Sequence, residues 1–283
     1  VQGIVLGQLC NALEPRLAMY FSSTSSELRV LLTKAMRQQL RADHEKAAAL
    51  CRKLGMRSCK ELREARQVSW WAMPPPTPDL ATLGKLGSVL PALRYLTLGD
   101  YYFSPYQRGV QRLVAGLGAG ALPAVTSFDL HMHVGDAGAS ALAAALGQGA
   151  LPRLKVLTLA NAAIGDAGLV ALAPALRRRS ALEYLNFERN LFGDEGLAAL
   201  VAPPPPPGTL PLPTGGLKKL KALHLDRVQV SDAGCAALAA ALDNGALPAL
   251  KDLTLRGIPF SAAAKEAVHV ALARSRLSLL IFS

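Results

Sequence analysis

From Leu93 to Leu255 one arrangement of apolar and polar positions recurs. Leu-x-x-Leu-x-Leu opens each copy, a Gly/Asp turn follows, and an alanine-rich stretch with Leu at i and i+4 runs to a Leu-Pro. The openings are Leu93-Leu96-Leu98, Val125-Phe128-Leu130, Leu154-Leu157-Leu159, Leu182-Leu185-Phe187, Leu220-Leu223-Leu225 and Leu250-Leu253-Leu255. They start 32, 29, 28, 38 and 30 residues apart. A self-similar period of about 20–50 residues marks units that bury their apolar faces only by stacking on one another.

Each half of the unit predicts one element. In Leu154-Lys-Val-Leu157-Thr-Leu159 the last leucines alternate with Thr158, a short strand with its leucines inward and Thr158 outward. Asp136, Asp166, Asp194 and Asp232 then stand just before an apolar periodic run. The expectation is that each carboxylate caps the first turn of its own helix. Leu142 and Leu146, Leu172 and Leu176, and Leu238 and Leu242 share a helix face at i, i+4. Proline beyond the helix, at Pro123, Pro152 and Pro248, prevents its continuation.

Copies built this way resemble the long, helix-containing leucine-rich repeats of the ribonuclease-inhibitor type. The resemblance covers about two thirds of the chain by that repeat signature. It implies an α/β solenoid, a horseshoe with parallel strands on the concave face and helices on the convex face, preceded by a small helical cap. The asparagine of Leu-x-x-Leu-x-Leu-x-x-Asn stands only at Asn190. His133, Ala162, Val228 and Ile258 replace it elsewhere, so those turns must satisfy their amides through backbone or water. Such repeats fix a fold more firmly than a function.

The implied organisation is a helical N-terminal cap or F-box-like segment over 1–60 and repeats over 61–283. The latter divide into a degraded repeat at 61–92, six repeats at 93–276 and a partial strand at 277–283. In the first segment Leu6, Leu9, Leu13, Leu17 and Tyr20 fall at helical steps. A second helix is expected from Glu27 through Leu50 with Leu28, Leu31, Leu32, Ala35 and Met36 inward, and Arg37, Arg41, Lys46, Arg52 and Lys53 mostly outward. Terminal repeats need caps. A short helical segment ahead of such repeats also resembles, in arrangement only, the F-box adaptors of ubiquitin ligases. Trp70 and Trp71 are neighbours on a strand, so one faces the core and the other the open side. Tyr101, Tyr102, Phe103 and Tyr106 crowd one loop. Pro203–Pro207 lengthens the fourth copy as a loop insertion, and Pro174 is expected to kink the helix that holds it. Leu277, Leu280 and Phe282 restart the strand frame. The chain opens on Val1, as expected of a fragment or a processed form.

Composition changes this picture little. Half of the residues are apolar, yet no stretch reaches the about 18 uninterrupted apolar residues of a membrane helix, and no signal peptide is legible. The net charge is +11, and residues 1–72 carry 12 Lys and Arg against 6 Asp and Glu. That basic segment could make weak contact with an acidic surface, although a solvated helix face explains it as well. Arg177-Arg-Arg179 suits a helix C-terminus. Cys10, Cys51, Cys59 and Cys235 show neither pairing nor metal spacing, which favours a reducing compartment, cytoplasmic or nuclear.

No P-loop, GxGxxG, GxSxG or HExxH is present. Asp129, His131 and His133 share a strand face but lack further ligands at metal spacing. No cofactor is expected. The reading is a non-enzymatic protein-interaction scaffold. The alternatives are an F-box-like ubiquitin-ligase adaptor and a regulator of a small GTPase, the latter through similar repeats in Ran GTPase-activating proteins. The outward positions stack into a continuous wall, and Tyr95, His131, Tyr184, Glu188, Arg189, His224, Asp226, Arg227 and Arg256 are its expected partner-binding residues. Mixed charge there argues for a protein rather than a nucleic acid.

Overall fold

The structure is a computed structural model that describes residues 11–24, 33–72, 77–100, 109–202, 216–274 and 280–281. Three helices, α1 (Pro15–Thr24), α2 (Lys34–Lys53) and α3 (Cys59–Glu64), precede a strict alternation. It runs β1 (Gln67–Ala72), α4 (Thr77–Leu86), β2 (Tyr95–Asp100), α5 (Gly109–Ala115), β3 (Ser127–His131), α6 (Gly135–Gly147), β4 (Val156–Thr158) and α7 (Asp166–Arg177). It continues with β5 (Tyr184–Asn186), α8 (Asp194–Val201), β6 (Ala222–His224), α9 (Asp232–Asp243), β7 (Asp252–Thr254), α10 (Ala262–Arg274) and β8 (Leu280–Ile281). All eight strands form one parallel sheet in sequence order, so β5 and β6 are neighbours despite the proline insertion between them.

The repeat leucines explain the register. Leu96, Phe128, Leu157, Leu185, Leu223 and Leu253 align side by side from β2 to β7, and each is buried. Leu142, Leu172, Leu197 and Leu238 meet this row from the helix layer, within one continuous core. β1 belongs to the same sheet: Val68 and Trp70 point inward while Trp71 lies on the open side, as alternation requires.

The core also extends into the N-terminal helices, where Leu13, Ala47, Leu50, Cys51, Cys59 and Leu62 join Leu80 and Leu83. The start of α2 differs from the expected helix. Thr33 caps it by accepting the Met36 N–H at 3.3 Å, and Ala35 and Met36 are exposed rather than inward, because burial begins only at Leu40. Leu6, Leu9, Leu28, Leu31, Leu32, the loop aromatics Tyr101–Tyr106, Pro203–Pro207, Leu277 and Phe282 lie outside the described residues.

The expected aspartate caps take a different form. Asp166 is the first residue of α7, and its Oδ1 accepts the Gly193 N–H at 2.9 Å and the Gly196 N–H at 2.7 Å, both in the next repeat. Asp136 accepts from Gly165 at 2.7 Å, and Asp194 from Ser231 at 2.8 Å and Gly234 at 3.0 Å. Asp232 accepts from Ser261 at 2.7 Å. Each carboxylate therefore caps the helix of the following copy, not its own. A helix start leaves its first N–H groups without intrahelical acceptors, and stacked starts lie within reach of one another. Glycine at the third motif position makes the approach possible: a Cβ on Gly196 would sit 2.9 Å from Asp166 Oδ1.

Opposite the aspartates, the turns after the strands are joined through the backbone. Asn161, Arg189 and Arg227 donate N–H to the carbonyls of Glu188, Asp226 and Arg256 at 2.7–2.8 Å. The three donors adopt φ of 53, 56 and 55°, the left-handed region, and Gly257 follows at 65°. This backbone series joins turns with and without the asparagine, since Arg189 precedes Asn190 itself. Asn190 adds a buried side-chain link: it is 2% exposed, donates to Leu159 O and Phe187 O, and accepts the Ile164 N–H at 3.0 Å.

Arg179 acts at a helix end, but at that of the previous repeat, where it donates to Ala150 O at 2.9 Å and to Leu146 O. Burial lowers its affinity for the proton, and Arg178 beside it adds to the effect.

Candidate functional site

Outward positions on the strands form the floor of the concave side. On β5 and β6, Tyr184 and His224 pack with ring centroids 5.0 Å apart. His224 Nε2 lies 3.5 Å from Asp252 Oδ2 on β7. Burial raises the Tyr184 hydroxyl above its usual range; the hydrogen bond with Asn186 opposes this, and the carboxylates of Asp252, Asp129 and Glu188 reinforce it. Tyr184 thus stands amid carboxylates from three strands or their turns.

A second aromatic group occupies the other end. Trp71 on β1 reaches across β2 to stack on His131 of β3, with centroids 5.3 Å apart and planes 21° from parallel. Gly99 in the intervening register position makes this possible, since a Cβ there would collide with the indole ring. Trp71 remains 40% exposed and Tyr95 49%. These are large apolar surfaces on a face otherwise built from small and polar residues.

The expected partner-binding residues divide into two rows. Tyr95, His131, Tyr184 and His224 lie on the floor. Glu188, Arg189, Asp226, Arg227 and Arg256 lie in the turns beyond the strands, because β5, β6 and β7 are only three residues long. Arg189 pairs with Glu188 at 3.2 Å. Asp226 accepts the Arg256 N–H at 2.8 Å, which occupies one of its oxygens in the turn itself. The Arg227 stem passes over Gly257. The opposite rim carries Lys155 and Lys221, both paired with Glu183 at 3.3 and 2.5 Å. Hydrogen bonds from Lys221 and then Lys155 hold the Glu183 carboxyl below its usual range.

Sequence reasoning left Trp71, Asp129 and Asp252 out of the site. The signal for Trp71 was present in the Trp70-Trp71 alternation, but its stacking partner His131 stands two copies away across Gly99. Asp129, whose strand face lacks further ligands at metal spacing, accepts the Ser127 hydroxyl at 2.9 Å, and no three His, Cys, Asp or Glu gather for a metal among the described residues. Cys51 and Cys59 are buried with their sulfurs 3.9 Å apart, and burial, then Cys59, pushes the Cys51 thiol up to about 12.

A model of the leucine-rich repeat family matches residues 151–173 and 181–201. Those two stretches are the copies joined by both Asp166 and Asn190. No curated protein matches the sequence. Among solved structures, the crystal structure of a Bacteroides fragilis protein is similar over 83% of this chain and 68% of that one, with 13% identity and a TM-score of 0.47. None of the described helices is long and apolar enough to cross a membrane. Eight parallel strands in sequence order, a layer of helices behind them and the matched repeats make this chain an α/β solenoid of leucine-rich repeats.

Proposed function

We propose that the chain is a non-enzymatic scaffold that holds a protein partner against its concave strand face. Leucine-rich repeats suggest protein interaction in general. The observation that supports this face is its aromatic content, with Tyr95 and Trp71 exposed where plain solvation would require neither. The long helices α6, α7 and α9, of 13, 12 and 12 residues, favour the ribonuclease-inhibitor type of repeat. Residues 1–60 act in this reading as the cap of the first repeat, since Leu13 and Leu50 share its core, with Leu40 packed on Ala18 beside it. Free buried thiols at Cys51, Cys59 and Cys235 favour an intracellular setting.

The test begins with affinity capture of the partner and measures its affinity for the triple variant Tyr184→Ala, Arg189→Ala, Arg227→Ala. Anchors of this kind contribute about 2 kcal/mol or more each, so binding should weaken severely while the melt stays near that of the parent. Binding that survives this change but is lost when Arg37, Arg41, Arg52 and Lys53 become Gln would place the partner on the N-terminal helices.

A further inference from the structure

The chain is basic overall, yet none of the outward side chains on β1 to β7 is Lys or Arg. The charged groups on that floor are Asp129 and Asp252. Each stands beside an aromatic pair: Asp129 is two residues from His131, which stacks on Trp71, and Asp252 lies 3.5 Å from His224, which packs on Tyr184. A carboxylate next to an aromatic face is the environment that a guanidinium or ammonium group takes up. A second observation marks the Tyr184 end. Thr254 is only 5% exposed and its Oγ1 has no hydrogen-bond partner, while the buried His224 Nε2 makes no hydrogen bond beyond its 3.5 Å contact with Asp252. Thr254 is in register with His224, between the inward Leu253 and Leu255, and so points to the floor. Unpartnered polar atoms beside a carboxylate call for a polar group from outside.

Resting on the strand-face reading above, we infer that the floor takes an extended protein segment carrying two separated Lys or Arg side chains. One seats between Trp71–His131 and Asp129, the other between Tyr184–His224 and Asp252. The two groups are centred between three and four strands apart, roughly 17 Å at about 4.8 Å per strand, which an extended segment covers in about five residues. The rims are mixed but net basic: beyond the Arg189–Glu188 and Lys155–Glu183–Lys221 pairings and Asp226, they carry Arg227 and Arg256 on one side and Lys251 on the other, all exposed. They repel a uniformly basic chain, so the two cations stand in neutral or acidic sequence. The N-terminal cations act little here, because screening at physiological salt decays over about 8 Å.

The experiment titrates the intact chain with short fluorescein-labelled Gly/Ser peptides that carry two arginines about five positions apart, two glutamates at the same places, or no charge. Trp71 emission reports contact with the floor, and a Trp71→Phe variant shows that the buried Trp70 does not supply the signal. The di-arginine peptide should bind best, weaken with salt and change Trp71 emission. Asp129→Asn with Asp252→Asn should weaken it by roughly ten-fold or more at an unaltered melt. Tighter binding of the di-glutamate peptide, binding of the di-arginine peptide that ignores the double change, or no binding of it at all overturns the inference. In the first case, a Trp71 response together with weakening by Tyr184→Ala keeps the strand-face reading and removes only the charge assignment. Loss of the strand-face reading itself would appear as a captured partner indifferent to both Trp71→Ala and Tyr184→Ala.

Discussion

Two regions of the same turns solve one problem differently. On the helix side, an aspartate in each of four successive copies reaches forward to cap the next helix. On the strand side, backbone N–H groups in left-handed conformations join successive turns, with the single buried Asn190 reaching back to Leu159 and Asp226 accepting the Arg256 N–H. The side-chain solution recurs where a helix start leaves several N–H groups together. The backbone solution suffices where each N–H already faces a carbonyl of the next strand's turn. The last aspartate shows what the motif needs. Ala264 stands where Gly196 and Gly234 stand in earlier copies, and its N–H goes to its own repeat's Ser261 Oγ at 3.2 Å instead of to Asp232. A side chain at that position and an incoming carboxylate exclude each other.

Breaking the strand-side link should have the largest effect. Asn190→Ala leaves the Ile164 N–H and two carbonyls buried without partners, which costs about 3–4 kcal/mol. Chemical denaturation should show it as a lower midpoint at an unchanged slope. A loss under about 1 kcal/mol would mean that backbone and water suffice there too.

Asp166→Ala removes an acceptor shared by two amides at a partly exposed site, an expected loss of about 2–3 kcal/mol. Asp232→Ala, which removes the acceptor of the Ser261 amide, should lose less by the same measurement. Equal losses would show that the carboxylate acts through the helix dipole rather than through the individual bonds.

Gly196→Ala sharpens the contrast through non-additivity. Alone it forces a methyl against Asp166 Oδ1 and the Phe192 Cβ, at a cost of about 1–3 kcal/mol. In an Asp166→Ala background part of that clash is gone, so the double variant should be more stable than the sum of the singles predicts. Strict additivity across the four melts would remove the steric account of the motif glycine.

The smallest effect lies in pH dependence. The backbone hydrogen bond from Ser261, and then its side chain, holds the Asp232 carboxyl below its usual value. A depressed carboxylate contributes stability that is present above the unfolded pKa of about 4 and is lost as pH falls through the folded value. Asp232→Asn should therefore lower stability slightly at neutral pH and converge with the parent as pH falls below about 4, which flattens the acid limb of the stability profile. Glu183, lowered by Lys221 and Lys155, contributes in the same direction and provides the comparison variant.

The sequence by itself determined the repeat, its period, the alternation that buries Leu157 beside Thr158, and hence a parallel sheet backed by helices. These follow from local periodicity, which acts within each copy. It also placed the open face and four residues of its floor, since period two assigns a side to every strand position. What only the tertiary structure decided is how copies meet. Asp166 looks like a cap for its own helix in one dimension, and it becomes the next helix's cap because stacking brings Gly193 and Gly196 closer than its own first turn. Glu188, Asp226 and Arg256 became rim rather than floor because the strands stop after three residues. Trp71 found His131 over Gly99 because register aligns three positions spread over 60 residues of sequence. Contacts of that kind depend on which strands are neighbours and in what register, and the pattern within one copy carries no record of either.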